Sequence, residues 1–170
     1  PNALSLATSS PDGIPSVRMV LLKDLNEKGF VFYTNFNSKK GNDLKNNPKA
    51  SMCFHWKSIR RQIRVSGEVT VVDKEDADKY FSSRDYGSKI SAWASSQSET
   101  MGNRKELLDK IKNFEKKFPN KNDVPRPPHW SGWRIIPNEI EFWLEVKNRS
   151  HERLNYKKQN DKWIKKILYP

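Results

Sequence analysis

Apolar and polar positions alternate along much of the chain. Residues 3–8 (ALSLAT) and 15–23 (PSVRMVLLK) read as strands around a turn at Ser10-Pro11-Asp12-Gly13. There proline presets φ and glycine accepts a positive φ. A second turn over 26–29 leads into Phe30-Val31-Phe32-Tyr33-Thr34, a run of strand formers. Ser38 is placed to N-cap a short helix to about Asn46, stopped by Asn47-Pro48. Strand character returns over 50–56 and 60–72, with Gly67 expected at a bulge.

The period then changes. Asp73 can cap a helix over 74–82, and Ser88 can open another through Ala94. Leu107, Ile111, Phe114 and Phe118 recur at helical spacing over 103–118, with Glu106 and Lys110 as an i,i+4 pair. Four prolines between 119 and 128 make a stiff connector. Strands resume over 130–136, 139–146, 151–157 and 162–168. The order strands, helices, strands predicts a mainly β (α+β) protein with peripheral helices, an antiparallel barrel or sheet. It is read as one domain over 1–170, with a helical insertion at about 74–118.

Composition narrows the classes. The chain has 170 residues, one cysteine (Cys53) and a net charge of +12. There is no disulfide framework and no thiolate metal cluster, and the three histidines lack metal spacing, so no metal is expected. No apolar run approaches the ~20 residues of a membrane span, and no signal pattern opens the chain. A cytoplasmic setting is expected. The chain begins at Pro1 without a methionine, so a preceding segment is expected as well.

The charge is concentrated. Residues 39–64 carry +7 and residues 147–170 carry +6, while the rest nearly cancels. Such blocks ask for an anionic partner. The seven glycines build neither a P-loop nor a dinucleotide fingerprint, so phosphate must be held by side chains. No G-x-S-x-G elbow is present.

Four constellations suit anions. Arg149, His151 and Arg153 share one face if 149–153 is a strand, with Ser150 and Glu152 opposite. Arg18 interrupts the apolar strand Arg18-Met19-Val20-Leu21-Leu22-Lys23 and needs a partner if half-buried. Ser38-Lys39-Lys40 opens a helix, where the dipole favours an anion. Tyr80 and Arg84 are i,i+4 on one helix face, with Ser88 starting the next helix, and these groups suit a phosphomonoester. Each also reads as solvated surface. Gln62 and Gln97-Ser98 can meet a heterocycle edge or a phosphate, and Trp143 is either core or a cofactor-packing ring.

Together the segments resemble the pyridoxamine 5′-phosphate oxidase family. The resemblance is carried by R-M-V-L-L-K (18–23), V-F-Y-T-N (31–35), S-K-K (38–40), R-Q-I-R-V-S-G (61–67), K-Y-F-S-S-R (79–84), S-A-W-A-S-S-Q-S (91–98), I-E-F-W (140–143) and N-R-S-H-E-R (148–153), in family order. It implies an FMN-binding split β-barrel homodimer, with the C-terminal strands of about 130–170 serving dimerisation and substrate. It also implies oxidation of pyridoxamine or pyridoxine 5′-phosphate to pyridoxal 5′-phosphate with O2, releasing H2O2.

The resemblance places FMN on Arg18, Met19, Val20, Leu21, Leu22, Lys23, Tyr33, Thr34, Lys39, Lys40, Gln62, Gln97, Ser98, Trp143 and Arg153. Substrate falls on Lys23, Tyr80, Arg84, Ser88, Arg149, Ser150 and His151, with Arg149 and His151 in the catalytic positions. Ser150 and Glu152 depart from the family's usual Leu and Asp, Lys39 stands where arginine is common, and Ile167-Leu168-Tyr169-Pro170 lacks the usual arginine. Two other classes stay open. One is another split-barrel flavin oxidoreductase, of the phenazine or flavin-reductase type. The other is a basic nucleic-acid-binding barrel; if the oxidase reading holds, neither nucleic acid nor a membrane is a partner.

Overall fold

Leu4, Leu6 and Thr8 turn one face of β1 (Ala3–Ser9) inward, as the alternation requires. The structure is a computed structural model that describes residues 1–170. The remaining strands are β2 (Pro15–Leu21), β3 (Asp24–Asn26), β4 (Gly29–Asn35), β5 (Lys49–Trp56), β6 (Arg61–Val71), β7 (Trp130–Leu144), β8 (Glu152–Gln159) and β9 (Lys162–Leu168). The helices are α1 (Lys39–Asn46), α2 (Lys74–Ser82), α3 (Tyr86–Ala94) and α4 (Arg104–Lys117). The nine strands join in one sheet in the order β2-β1-β5-β6-β7-β4-β3, with β8 paired to β7 and to β9. The protein is thus mainly β with four helices, as its sequence pattern predicts.

The chain gathers into two compact units. The first comprises residues 1–32, 43–70 and 133–170, and the second residues 33–42 and 71–132. The core of the first includes Leu4, Leu6, Phe32, Leu44, Met52, Val65 and Ile135, each at most 1% exposed. The second has Phe81, Ile90, Val124 and Trp130 at its centre, with Tyr33, Tyr80, Trp93, Ile111 and Phe114 packed against them. The helices expected over 74–118 all lie in this second unit.

Several local expectations hold in detail. Gly13 has φ +85°, and its N–H donates to the Ser10 carbonyl at 2.9 Å, closing the first turn. The Ser38 hydroxyl accepts from the Gly41 amide at 3.3 Å, capping α1. The Lys110 ammonium meets Glu106 at 3.0 Å.

Others need correction. The β5–β6 register runs without a break from Lys49↔Glu68 to Trp56↔Arg61, so Gly67 is not a bulge in that pair. It is glycine because a Cβ there would lie 2.0 Å from the Ile136 carbonyl oxygen. The α3 cap is Asp85, whose carboxylate accepts from the Ser88 amide, so Ser88 lies one turn inside the helix. β7 is one strand of 15 residues rather than two. Pro137 is tolerated within it because the β8 ladder begins only at Glu139, so no β8 carbonyl waits for its missing N–H.

Candidate active site

The first unit holds a cavity of about 660 Å3 lined by Gln62, Trp143, His151, Arg153, Ile167 and Leu168 among others. Each comes from a strand or a strand end: Gln62 from β6, Trp143 from β7, Arg153 from β8 and the last two from β9. Trp143 faces Arg153 across the β7–β8 ladder. The Trp143 ring lies 4.7 Å from the His151 ring, and both are half-buried, so Trp143 is a cavity wall and not core. The His151 Nδ1 accepts the Val146 amide at 3.2 Å, which assigns the proton of the neutral ring to Nε2.

The Arg153 guanidinium is held on two sides. Its Nε and Nη2 donate to Glu141 at 3.1 and 2.9 Å, and its Nη1 donates to the Tyr169 carbonyl at 2.9 Å. Hydrogen bonding to Glu141 raises the Arg153 guanidinium above its usual value. Glu141, itself 5% exposed, also lies 3.6 Å from Arg64. Glu141 was no candidate on sequence alone; its one signal there is an acid inside the otherwise apolar Ile140-Glu141-Phe142-Trp143.

The strand premise for Arg149 fails. Lys147–Arg149 is a 3-10 turn, with φ of +59° at Asn148 and +61° at Arg149, and β8 starts at Glu152. Arg149, His151 and Arg153 therefore do not share a face by alternation. His151 and Arg153 still line the cavity; Arg149 does not, and it is exposed. Glu152, expected on the far side, lines the cavity too. The Ser150 hydroxyl turns back to the Lys147 carbonyl at 2.8 Å.

Arg18 has the partners its half-burial requires. Its Nη1 donates to Thr8 Oγ1 at 2.7 Å and to the Leu6 carbonyl at 3.2 Å, and its Nη2 to Ser16 Oγ at 2.5 Å. Asp43, buried in α1, accepts from Thr8 Oγ1 at 2.7 Å and stands 3.9 Å from Arg18. Burial pushes the Arg18 guanidinium down, and Asp43 partly offsets it. Alternation exposes Val17, Met19 and Leu21 and half-buries Arg18 and Val20. β2 stops at Leu21, so Leu22 and Lys23 lie past its end, with the Lys23 amide bonded to the Val31 carbonyl. Burial also pushes the Cys53 thiol up, away from reactivity.

The second unit holds two further clusters. At the start of α1, the buried Lys40 ammonium donates to Thr34 Oγ1 at 3.0 Å, Ser38 Oγ at 3.2 Å and Gln97 Oε1 at 3.2 Å. Lys39 precedes it and is exposed, and Ser98 follows Gln97 with φ +76°. At the α2–α3 junction, the rings of Tyr33, Tyr80 and Trp130 stack, at 4.1 Å for the tyrosine pair and 5.3 Å for Tyr33–Trp130. The Arg84 guanidinium lies over Trp130, 4.8 Å from the ring centroid. Arg84 falls beyond the end of α2 and not on its face, with its amide bonded to the Phe81 carbonyl. Its Nη1 is buried with no partner. Burial pushes the guanidinium down, against the opposing influence of Tyr80 and Asp85. Ser88 stands at the same junction, bonded to Asp85. Trp130 was not singled out in the sequence; the Arg84 contact identifies it.

The second unit thus carries a half-buried arginine with a spare donor and a lysine among hydroxyls at a helix start, groups that suit a phosphate, and the first carries an aromatic-walled cavity, on a mainly β, split-barrel scaffold. Comparison with known proteins agrees. Residues 1–118 match the family model described as pyridoxamine 5′-phosphate oxidase, and residues 130–170 match that of the pyridoxine 5′-phosphate oxidase C-terminal dimerisation region. The chain belongs to the pyridoxamine 5′-phosphate oxidase family.

A pyridoxine/pyridoxamine 5′-phosphate oxidase of Pelagibacter ubique is 61% identical over 171 residues, covering 100% of this chain and 82% of the relative. One from Nostoc is 50% identical over 161 residues, covering 95% and 75%. Among solved structures, PhzG of Burkholderia lata, in complex with tetrahydrophenazine-1-carboxylic acid, superposes with a TM-score of 0.94 at 30% identity, covering 100% of this chain and 83% of that one. A pyridoxamine 5′-phosphate oxidase-related, FMN-binding protein of Nostoc punctiforme gives a TM-score of 0.79 at 16% identity, covering 99% and 88%, a likeness of fold.

Proposed function

We propose that the protein oxidises C4′ of pyridoxine 5′-phosphate or pyridoxamine 5′-phosphate to give pyridoxal 5′-phosphate, with FMN as cofactor and dioxygen as electron acceptor. The observation that carries the reading is Arg84, whose Nη1 is buried and unpartnered, with Tyr80 and Asp85 near enough to act on its charge. A guanidinium kept short of an acceptor there is completed by a phosphate. The full-length relatives named for this reaction support it.

The residues present fit FMN. The Lys40 cluster offers an ammonium and hydroxyls at a helix start, which suits a phosphate, and the cavity beside Trp143 offers a flat aromatic wall. The residues that would hold FMN are Arg18 through Lys23, Tyr33, Thr34, Lys39, Lys40, Gln62, Gln97, Ser98, Trp143 and Arg153. The chemistry FMN supplies when bound is acceptance of two electrons from the C4′–H bond and their passage to dioxygen, giving hydrogen peroxide. Pyridoxamine phosphate additionally consumes one water and releases ammonia.

The chain's own work is binding, orientation and proton handling. Lys23, Tyr80, Arg84 and Ser88 hold the phosphate, so that binding energy far from C4′ fixes the ring. Arg149, Ser150 and His151 contact the pyridine. With its Nδ1 occupied by the Val146 amide, His151 presents Nε2 to a proton leaving or reaching the substrate. The active form is a homodimer joined through the C-terminal strands, in a reducing, cytoplasmic setting that suits the single free Cys53. In the structure no helix is long and apolar enough to cross a membrane. The reading is tested by the absorbance spectrum of the purified protein, which should show bound flavin bleached by anaerobic pyridoxine 5′-phosphate. A flavin bleached only by a dihydrophenazine carboxylate would move the protein to the phenazine class.

A further inference from the structure

We propose that Glu141 is a positioning residue for the flavin, acting through Arg153; the inference rests on the flavin reading of the Arg153 cavity. Glu141 is 5% exposed and lies in mid-strand, between Arg64 on β6 and Arg153 on β8. A carboxylate so buried is disfavoured unless it is paired, and it is paired twice. The two contacts differ in kind. Arg64 approaches to 3.6 Å and is itself exposed, a loose pair screened by solvent. Arg153 is gripped as a fork, Nε on Oε1 and Nη2 on Oε2.

That fork fixes the plane of the guanidinium. The Tyr169 carbonyl takes a third N–H through Nη1. Of five guanidinium N–H bonds three are thus committed within the fold, and two, one on Nη1 and one on Nη2, are left for a ligand in the cavity Arg153 lines. Register explains why this acid does it. Trp143 is opposite Arg153 and Glu141 is two residues earlier on β7, so all three side chains share one face of the sheet. Without the carboxylate, Arg153 keeps its charge but loses the geometry that aims its two free donors.

The test is FMN release from the loaded full-length protein, followed on dilution by the recovery of free-flavin fluorescence. Arg153→Ala should release FMN about 10–100-fold faster, the range of charge-assisted hydrogen bonds. Glu141→Gln should be faster by about tenfold, and in the Arg153→Ala background it should add less than about twofold, because the two act as one unit. Fast release from Arg153→Ala with wild-type release from Glu141→Gln, or full additivity in the double variant, overturns the inference. Unchanged release from Arg153→Ala instead overturns the flavin reading of this cavity. If Glu141→Gln does not fold, Glu141→Asp keeps the charge but retracts the fork, and it should show the same accelerated release and the same loss of effect without Arg153.

Discussion

The Arg84 guanidinium stacks 4.8 Å from the Trp130 ring centroid while its Nη1 stays buried without an acceptor. The ring holds the cation in place while Nη1 keeps its N–H groups unmatched within the fold. Arg84→Ala should therefore raise KM for pyridoxine 5′-phosphate about 10–100-fold with flavin content unchanged. Arg84→Lys should restore little, because an ammonium does not reproduce a planar stacked fork. Steady-state kinetics with flavin quantitation checks both. A variant that instead lost FMN would contradict the assignment.

Arg149 sits at φ +61° just after Asn148 at +59°, a left-handed pair outside any strand. Holding non-glycine residues there costs free energy, a pattern associated with functional segments. Arg149→Ala should lower kcat/KM for pyridoxine 5′-phosphate at least about tenfold while shifting FMN affinity less than about twofold. Parallel substrate and flavin titrations decide it; unchanged turnover removes Arg149 from the site.

Gly67 and Gly13 give a stability contrast. A Cβ on Gly67 would lie 2.0 Å from the Ile136 carbonyl oxygen, whereas one on Gly13 meets nothing within 4 Å. Gly67→Ala should destabilise by about 1–3 kcal/mol through overpacking. Gly13→Ala, at φ +85°, should cost only about 1 kcal/mol, from backbone strain. Thermal unfolding of the two variants should rank them in that order.

Asp85 accepts from both the hydroxyl and the amide of Ser88, which holds its carboxyl below the usual range. A depressed folded-state value means the charged cap stabilises above the ordinary carboxylate pKa of about 3.9, with the benefit lost as pH falls through the lower folded value. Asp85→Asn keeps an oxygen acceptor without the charge. The stability gap between wild type and Asp85→Asn, measured by urea unfolding, should be present at neutral pH and close as the pH falls below about 4.

Much of the fold was legible because strands with one buried face alternate visibly, as in Leu4-Ser5-Leu6-Ala7-Thr8. Arg18 announced its need for a partner, although Asp43, 25 positions away, carried no sign of being that partner. The losses were of two kinds. Backbone sign is only faintly marked in residue types: Asn148 is of a kind that tolerates the left-handed region but Arg149 is not, so the alternation taken for 149–153 met a turn instead. Pairing across the sheet is invisible. Glu141 looks like one acid among twenty until β6 and β8 bring an arginine to each side of it. The gap between the strands read over 130–136 and 139–146 closes in the structure, where β7 runs on through Pro137 before the β8 ladder begins at Glu139.

The most direct test is the stoichiometry of an aerobic turnover assay with pyridoxine 5′-phosphate. The account predicts one hydrogen peroxide formed per pyridoxal 5′-phosphate by the yellow, FMN-loaded protein, with unphosphorylated pyridoxine a far poorer substrate. No pyridoxal phosphate from a protein that holds FMN, or equal turnover of the two substrates, would contradict it.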